Sequence, residues 1–237
     1  MVETLDPSSL TNRSFLYRQH IKSGAVFAEM GGFAVPLNYG NPDSETEASS
    51  NMGLVDLSHL PRTGFKGWDA AKWLVSNGCK VGDGSNVTTE QACYSRAMRL
   101  APSEVAILGD LNAESSLVND LDMTWSSHRS DGVFHVPRAS TNCWLKVTGK
   151  YAPSMFAKIC AVDLRPQVFG IGQVAQTNIA RLNCIVVRHD IDAVLTYDIL
   201  TDCASADYFW SALLDAMEEF SGKPIGISAL KSLSVNI

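Results

Sequence analysis

Asp56, Ser58 and His59 place a carboxylate, a hydroxyl and an imidazole within four residues, the three side-chain types of a nucleophilic relay. A relay needs all three on one side of the backbone. The run Gly53-Leu54-Val55-Asp56-Leu57-Ser58-His59-Leu60 alternates as a strand does, with Val55, Leu57 and His59 on one face and Leu54, Asp56, Ser58 and Leu60 on the other. His59 faces away from its two partners, so the trio reads as a strand end.

Gly170-Ile171-Gly172-Gln173-Val174-Ala175 fits the dinucleotide pattern G-x-G-x-x-A, and Asp190 and Asp192 lie near the distance of a ribose-binding acid. That chemistry needs a buried strand before the glycines and a helix after them. Here Pro166 precedes and the β-rich stretch 179–187 follows, so the glycines read as a structural loop. Neither a G-x-x-x-x-G-K-S/T phosphate loop nor a G-x-S-x-G nucleophile elbow occurs. Arg99 and Arg181 fall at matching places in two similar segments, which points to pairing with a loop carboxylate, with a ligand clamp as the alternative. Cys79, Cys93, Cys143, Cys160, Cys184 and Cys203 form no Cys-x-x-Cys pair and are expected as buried thiols. No two of the five histidines have helical ligand spacing, and no metal site is expected.

The elements that must position these residues follow a repeated grammar. Residues 1–52 form a lead-in ending in the polar stretch 41–47, expected as an exposed loop. The strand from Gly53 continues through Phe65-Lys66-Gly67 into a short helix with Trp68, Ala71 and Val75 on one side and Trp73 and Leu74 extending the apolar surface. Trp144-Leu145-Lys146-Val147-Thr148-Gly149 repeats this, running into a helix with Met155, Phe156 and Ile159 at core spacing. Gly67 to Gly149 is 82 residues, and so is Arg99 to Arg181. Asp110 to Asp202 is 92, which predicts a second hairpin ten residues longer. A last helix, capped by Ser205, carries a core stripe of Ala206, Phe209, Trp210, Leu213, Leu214, Met217 and Phe220. The first repeat spans about 53–125 and the second about 132–222, in one α+β domain covering 1–237.

Composition limits the function classes. The 237 residues are 46% hydrophobic, enough for a substantial core, and the net charge of −6 with interspersed signs offers no phosphate-binding stripe, so no nucleic-acid partner is expected. The acidic start Met1-Val2-Glu3-Thr4-Leu5-Asp6-Pro7 is unlike a signal or transit peptide, and no stretch approaches the roughly 18 apolar residues of a membrane helix. The expectation is a cytoplasmic protein without a membrane partner.

Gly31-Gly32-Phe33-Ala34-Val35-Pro36-Leu37-Asn38-Tyr39, Gly53-Leu54-Val55-Asp56-Leu57-Ser58-His59-Leu60 and Gly67-Trp68-Asp69-Ala70 together resemble the start of the glycine-cleavage T-protein (aminomethyltransferase) family. Leu164-Arg165-Pro166-x-x-Phe169, Gly172-Gln173-Val174-Ala175-Gln176-Thr177 and the stretch from Tyr208 to Ala216 look still more like the gamma subunit of heterotetrameric sarcosine oxidase. The resemblance implies the folate-binding fold of swapped β-α-β subdomains, in agreement with the duplication. It also implies an acid just before the strand near Arg96, where this chain reads Glu90-Gln91-Ala92-Cys93-Tyr94-Ser95, with no matching aspartate. A Gly-x-x-Gly-Glu folate contact is expected just before Tyr197, where this chain has Asp192-Ala193-Val194-Leu195. A T-protein's separate C-terminal barrel is not expected. The resemblance therefore implies a non-catalytic, gamma-like subunit of a flavoprotein amine demethylating complex, with FAD on partner subunits. The alternative is a stand-alone tetrahydrofolate-dependent aminomethyl or methyl transferase, with Asp56, Ser58, Tyr94, Arg181 and Tyr197 as candidate folate-binding residues.

Overall fold

The computed structural model describes residues 5–233. The chain divides into two compact units, one comprising the residues up to His59 together with Asn142–Ile171 and those from Thr177 onward, the other Leu60–Thr141 with Gly172–Gln176. The first unit opens with β1 (Asn12–Arg13), α1 (Tyr17–Lys22), β2 (Val26–Met30), β3 (Phe33–Asn38), α2 (Pro42–Asn51) and β4 (Gly53–Asp56). The second unit holds β5 (Arg62–Lys66), α3 (Ala70–Ser76), β6 (Val87–Glu90), β7 (Arg96–Ala101), β8 (Glu104–Leu108), α4 (Leu117–Ser127), β9 (Phe134–Val136) and α5 (Arg138–Thr141). Then follow β10 (Asn142–Thr148), α6 (Ala152–Ile159), β11 (Val174–Ile179), β12 (Leu182–Arg188), β13 (Thr196–Asp202), α7 (Ala206–Met217), β14 (Lys223–Pro224) and α8 (Ile227–Lys231). Three sheets result, in the orders β1-β3-β2, β11-β12-β13-β10-β4-β14 and β6-β7-β8-β5-β9. No helix among the described residues is long and apolar enough to cross a membrane.

The α+β fold is duplicated down to single hydrogen bonds. Gly67 and Gly149 each end a strand at positive φ, 124° and 104°, a region that glycine enters without a Cβ clash. Gly67 N–H donates to the Ser103 carbonyl and Gly149 N–H to that of Leu195, both at 2.9 Å. Ala70 and Ala152 then donate back to the two glycine carbonyls, both at 3.1 Å, and start α3 and α6. The leading strands are exchanged: β4, which precedes the first copy, pairs with β10 (Gly53↔Thr148, Val55↔Lys146), and β9, which precedes the second, pairs with β5 (Phe134↔Lys66, Val136↔Gly64).

Register corrects one landmark. Arg99 faces Val105 across β7 and β8, and Arg188 faces Tyr197 across β12 and β13. Since β8 and β13 hold equivalent places beside β5 and β10, the counterpart of Arg99 is Arg188. Arg181 instead sits at φ 70° in the turn between β11 and β12. Seven of the ten extra residues thus precede the middle strand, and only three lengthen the hairpin turn. The Arg99 guanidinium donates instead to the Gly82 carbonyl at 2.7 Å, and no carboxylate among the described residues lies within ion-pair distance of it.

Other expectations shift for local reasons. The strand from Gly53 stops at Asp56 rather than running on to Phe65, so β4 and β5 lie in different sheets. Because α3 starts only at Ala70, its buried face is Ala70, Trp73 and Leu74, while Trp68 is 87% exposed. The polar stretch 41–47 is the first half of α2: Asn41 caps Ser44 N–H, Pro42 stands at the first turn, and Asp43 and Glu45 face the positive helix end. Ser205 makes no side-chain cap, and Asp202 caps the preceding turn through Ala204 N–H at 2.8 Å. The stripe of α7 is core at Ala206, Phe209, Trp210, Leu213 and Met217. Cys79, Cys143 and Cys184 are buried, but Cys93, Cys160 and Cys203 only half so. After Gly172 comes β11 and not a helix.

Candidate functional site

The polar centre of the first unit is built around Asp56. Where β4 ends, the chain turns, and Asp56 Oδ1 accepts the backbone N–H of Ser58 at 2.9 Å, a short side-chain turn typical of aspartate. Oδ2 accepts from Ser14 Oγ and from His20 Nε2, the latter at 2.9 Å. On the other side of the ring, His20 Nδ1 lies 2.8 Å from the Tyr39 hydroxyl, within hydrogen-bond distance. The indole of Trp210 meets the imidazole edge-on at 5.0 Å. The result is a chain of bonds, Tyr39 to His20 to Asp56, that ties the lead-in to β4.

Burial opposes ionisation of Asp56, but His20, Ser14 and Ser58 outweigh it and hold the carboxyl down at about 2. Burial, followed by the charges of Asp56 and Glu45, pushes the Tyr39 hydroxyl well above its usual range. Such a chain could hold a proton, yet His20 is 0% exposed and Asp56 only 4%. Glu45 is fixed in the same manner, accepting from Tyr39 N–H at 2.6 Å and Gly226 N–H at 2.8 Å.

Polar links continue through the six-stranded sheet. Ser58 Oγ accepts Trp144 N–H at 3.0 Å, and Trp144 Nε1 donates to Asp198 Oδ1 at 2.8 Å. Asp198 faces Lys146 across β10 and β13, with Nζ to Oδ1 at 2.8 Å and both side chains fully buried. Such a pair is stable only when hydrogen bonds replace lost water. Trp144 supplies one to Asp198, and Thr196 Oγ1, 3.4 Å from Nζ, supplies another to Lys146.

Among the residues singled out from sequence, Asp56 and Ser58 come together in this network. Tyr197 is buried, with its hydroxyl donating to the Leu164 carbonyl at 2.7 Å. Burial and the charges of Asp190 and Asp163, against the opposing pull of Arg188, take that hydroxyl up to about 12. Arg188 holds the same segment through the carbonyls of Phe169 (2.8 Å) and Pro166 (3.2 Å) while pairing with Asp190 at 2.6 Å. The Leu164-Arg165-Pro166-x-x-Phe169 motif is therefore a braced turn. Arg181 is exposed in its own turn, and Tyr94, at φ 60° and 77% exposed, stands on a turn of the second unit. Within that turn Gln91 is 8% exposed and bonds the backbone of Lys80 and Thr89 at 2.8–3.0 Å.

Ser14, His20 and Tyr39 escape a reading by local motif, because they lie far from Asp56 in sequence. Lys146 carried a usable signal, a charge set between Leu145 and Val147 in a strand with apolar residues on both faces. Among the described residues no group of three or more His, Cys, Asp or Glu could hold a metal ion.

Comparison with known proteins places this arrangement. The aminomethyltransferase of Moorella thermoacetica is 24% identical over 232 residues, which are 92% of this chain and 62% of the relative. That of Corynebacterium aurimucosum is 26% identical over 235 residues with the same coverage, so the chain spans about 62% of the length of these curated relatives. Glycine cleavage system aminomethyltransferase T from Bartonella henselae superposes with a TM-score of 0.70 at 17% identity, over 94% of this chain and 61% of that one. A chain of heterotetrameric sarcosine oxidase from Corynebacterium sp. U-96 gives a TM-score of 0.62 at 17% identity, over 77% of this chain and 93% of that one. At these identities the structural likeness is one of fold. The family model described as the GCVT N-terminal domain matches residues 16–236, and the chain belongs to that family.

Proposed function

We propose that this chain is a non-catalytic, gamma-like subunit of a sarcosine-oxidase-type complex that demethylates N-methyl amines, with FAD on partner subunits. The observation that carries the reading is the turn before β7. Moving one carbon from an amine to a folate nitrogen requires a placed carboxylate to manage the charge on that nitrogen, and T-protein resemblance puts it there. This chain has Gln91, whose amide is spent on Lys80 and Thr89, and an outward Tyr94. The likeness to 93% of a sarcosine oxidase chain supports the choice of complex.

The second reading, a tetrahydrofolate-dependent aminomethyl or methyl transferase, draws on relatives named aminomethyltransferase that cover 92% of the chain. Its ligand would be read by Asp56, Ser58, Tyr94, Arg181 and Tyr197. Asp56, Ser58 and Tyr197 spend their polar atoms on internal partners, and the stretch 192–195, where the family's Gly-x-x-Gly-Glu contact is expected, has no glutamate and begins with Asp192 at φ 49° in a hairpin turn. Engaged in this way, Asp56, Ser58 and Tyr197 fit a folate site poorly. Calorimetric titration of the purified chain with tetrahydrofolate separates the readings. The subunit reading expects no heat of binding, and saturable micromolar binding would favour the transferase.

A further inference from the structure

A concavity of about 460 Å³ opens on the first unit, between α2, the start of α6 and the turn after α7. That is the size of a small-ligand pocket. Lys150 and Lys223 both line it, with Ser44, Asn51, Tyr151 and the single acid Glu47.

The two ammonium groups are held there by neutral partners. Lys223 Nζ donates to Ser44 Oγ at 2.7 Å, and Lys150 Nζ lies over the Tyr151 ring, 5.0 Å from its centroid. Tyr151 is stacked on Phe220 at 5.5 Å and 21°, so the wall is stiff. Among the described residues no carboxylate lies within ion-pair distance of either ammonium. In a chain of net charge −6, two ammoniums without ion-pair partners in one concave space attract anions against the overall field.

We propose that this concavity is a binding site for a small dianion, a phosphate monoester or a dicarboxylate, bridged by Lys150 and Lys223 with Ser44 and Asn51 as further hydrogen-bonding groups. The proposal is independent of the assembly reading. Glu47 sets its sign, because a carboxylate in the same space weakens an anion's binding.

The full chain is titrated with inorganic phosphate and, separately, with succinate at constant ionic strength, and followed by amide chemical shifts. Saturable shifts at Lys150, Tyr151, Ser221 and Lys223 are expected. Lys150→Met weakens binding about fivefold, the effect of one exposed ion pair, and Glu47→Gln strengthens it. Lys150 is exposed, so its variant keeps the fold, with an unchanged thermal midpoint as the check. Tighter binding of phosphate assigns the phosphate-ester class, and tighter binding of succinate assigns the dicarboxylate class. Non-saturating shifts with both probes, or affinities that neither variant alters, overturn the site.

Discussion

Replacing Asp56 by Asn removes the charge at the polar centre while keeping its shape. Oδ2 of Asp56 accepts from both Ser14 and His20, so an amide NH2 in that place confronts at least one donor with another. The carboxyl is held at about 2 against an ordinary 3.8, and that difference corresponds to about 2 kcal/mol in favour of the folded state. A buried donor left without an acceptor adds about 1–3 kcal/mol, for a total loss of about 3–5 kcal/mol. In a chain of this size that lowers the thermal midpoint by roughly 6–20 °C. Because the folded pKa is depressed, the ionic part is fully present above the unfolded value and is lost as pH falls through the folded one. Roughly half of it is gone by pH 3. Urea unfolding of both proteins at pH 7, 5 and 3, followed by circular dichroism, measures this. The gap between them should narrow by about 1 kcal/mol from pH 5 to pH 3. A loss under about 1 kcal/mol at pH 7, or a gap that pH leaves unchanged, refutes the reasoning.

Three further outcomes follow from the same geometry. Lys146→Met strands the buried Asp198 carboxylate and should cost about 3–5 kcal/mol in urea unfolding, while adding Asp198→Leu should recover more than half of it. Gly67→Ala and Gly149→Ala should each abolish soluble expression or lower the midpoint by more than about 10 °C, because the added Cβ would stand 1.8 Å from the Gly132 carbonyl oxygen and 2.3 Å from the Asn51 carbonyl group. Tyr197→Phe leaves the Leu164 carbonyl without that donor and should cost about 1–2 kcal/mol, with faster amide exchange in the turn that Arg188 also braces.

The duplication was legible because its markers are local. Gly67 and Gly149 announce the same backbone turn by composition alone, and the stripe of α7 needs only helical spacing. Arg181 misled because identical residue types at a constant offset carry no register, and register alone shows that Arg188 is the partner of Arg99. The stretch 41–47 looked like a loop because it is polar, yet its cap, first-turn proline and early acids form a helix-start signal. The Asp56 network was half legible. Asp56 and Ser58 stood out by spacing, but His20 is 36 residues away, joined to Asp56 only through the fold.

The central claim is that the chain serves a flavoprotein assembly rather than catalysing by itself. A tagged chain expressed in its native source, purified under mild salt and run by size exclusion with flavin absorbance recorded, tests it most directly. Elution well above 25.7 kDa together with flavin and larger partner chains is the expected result. Elution alone at that mass, without flavin, would contradict it.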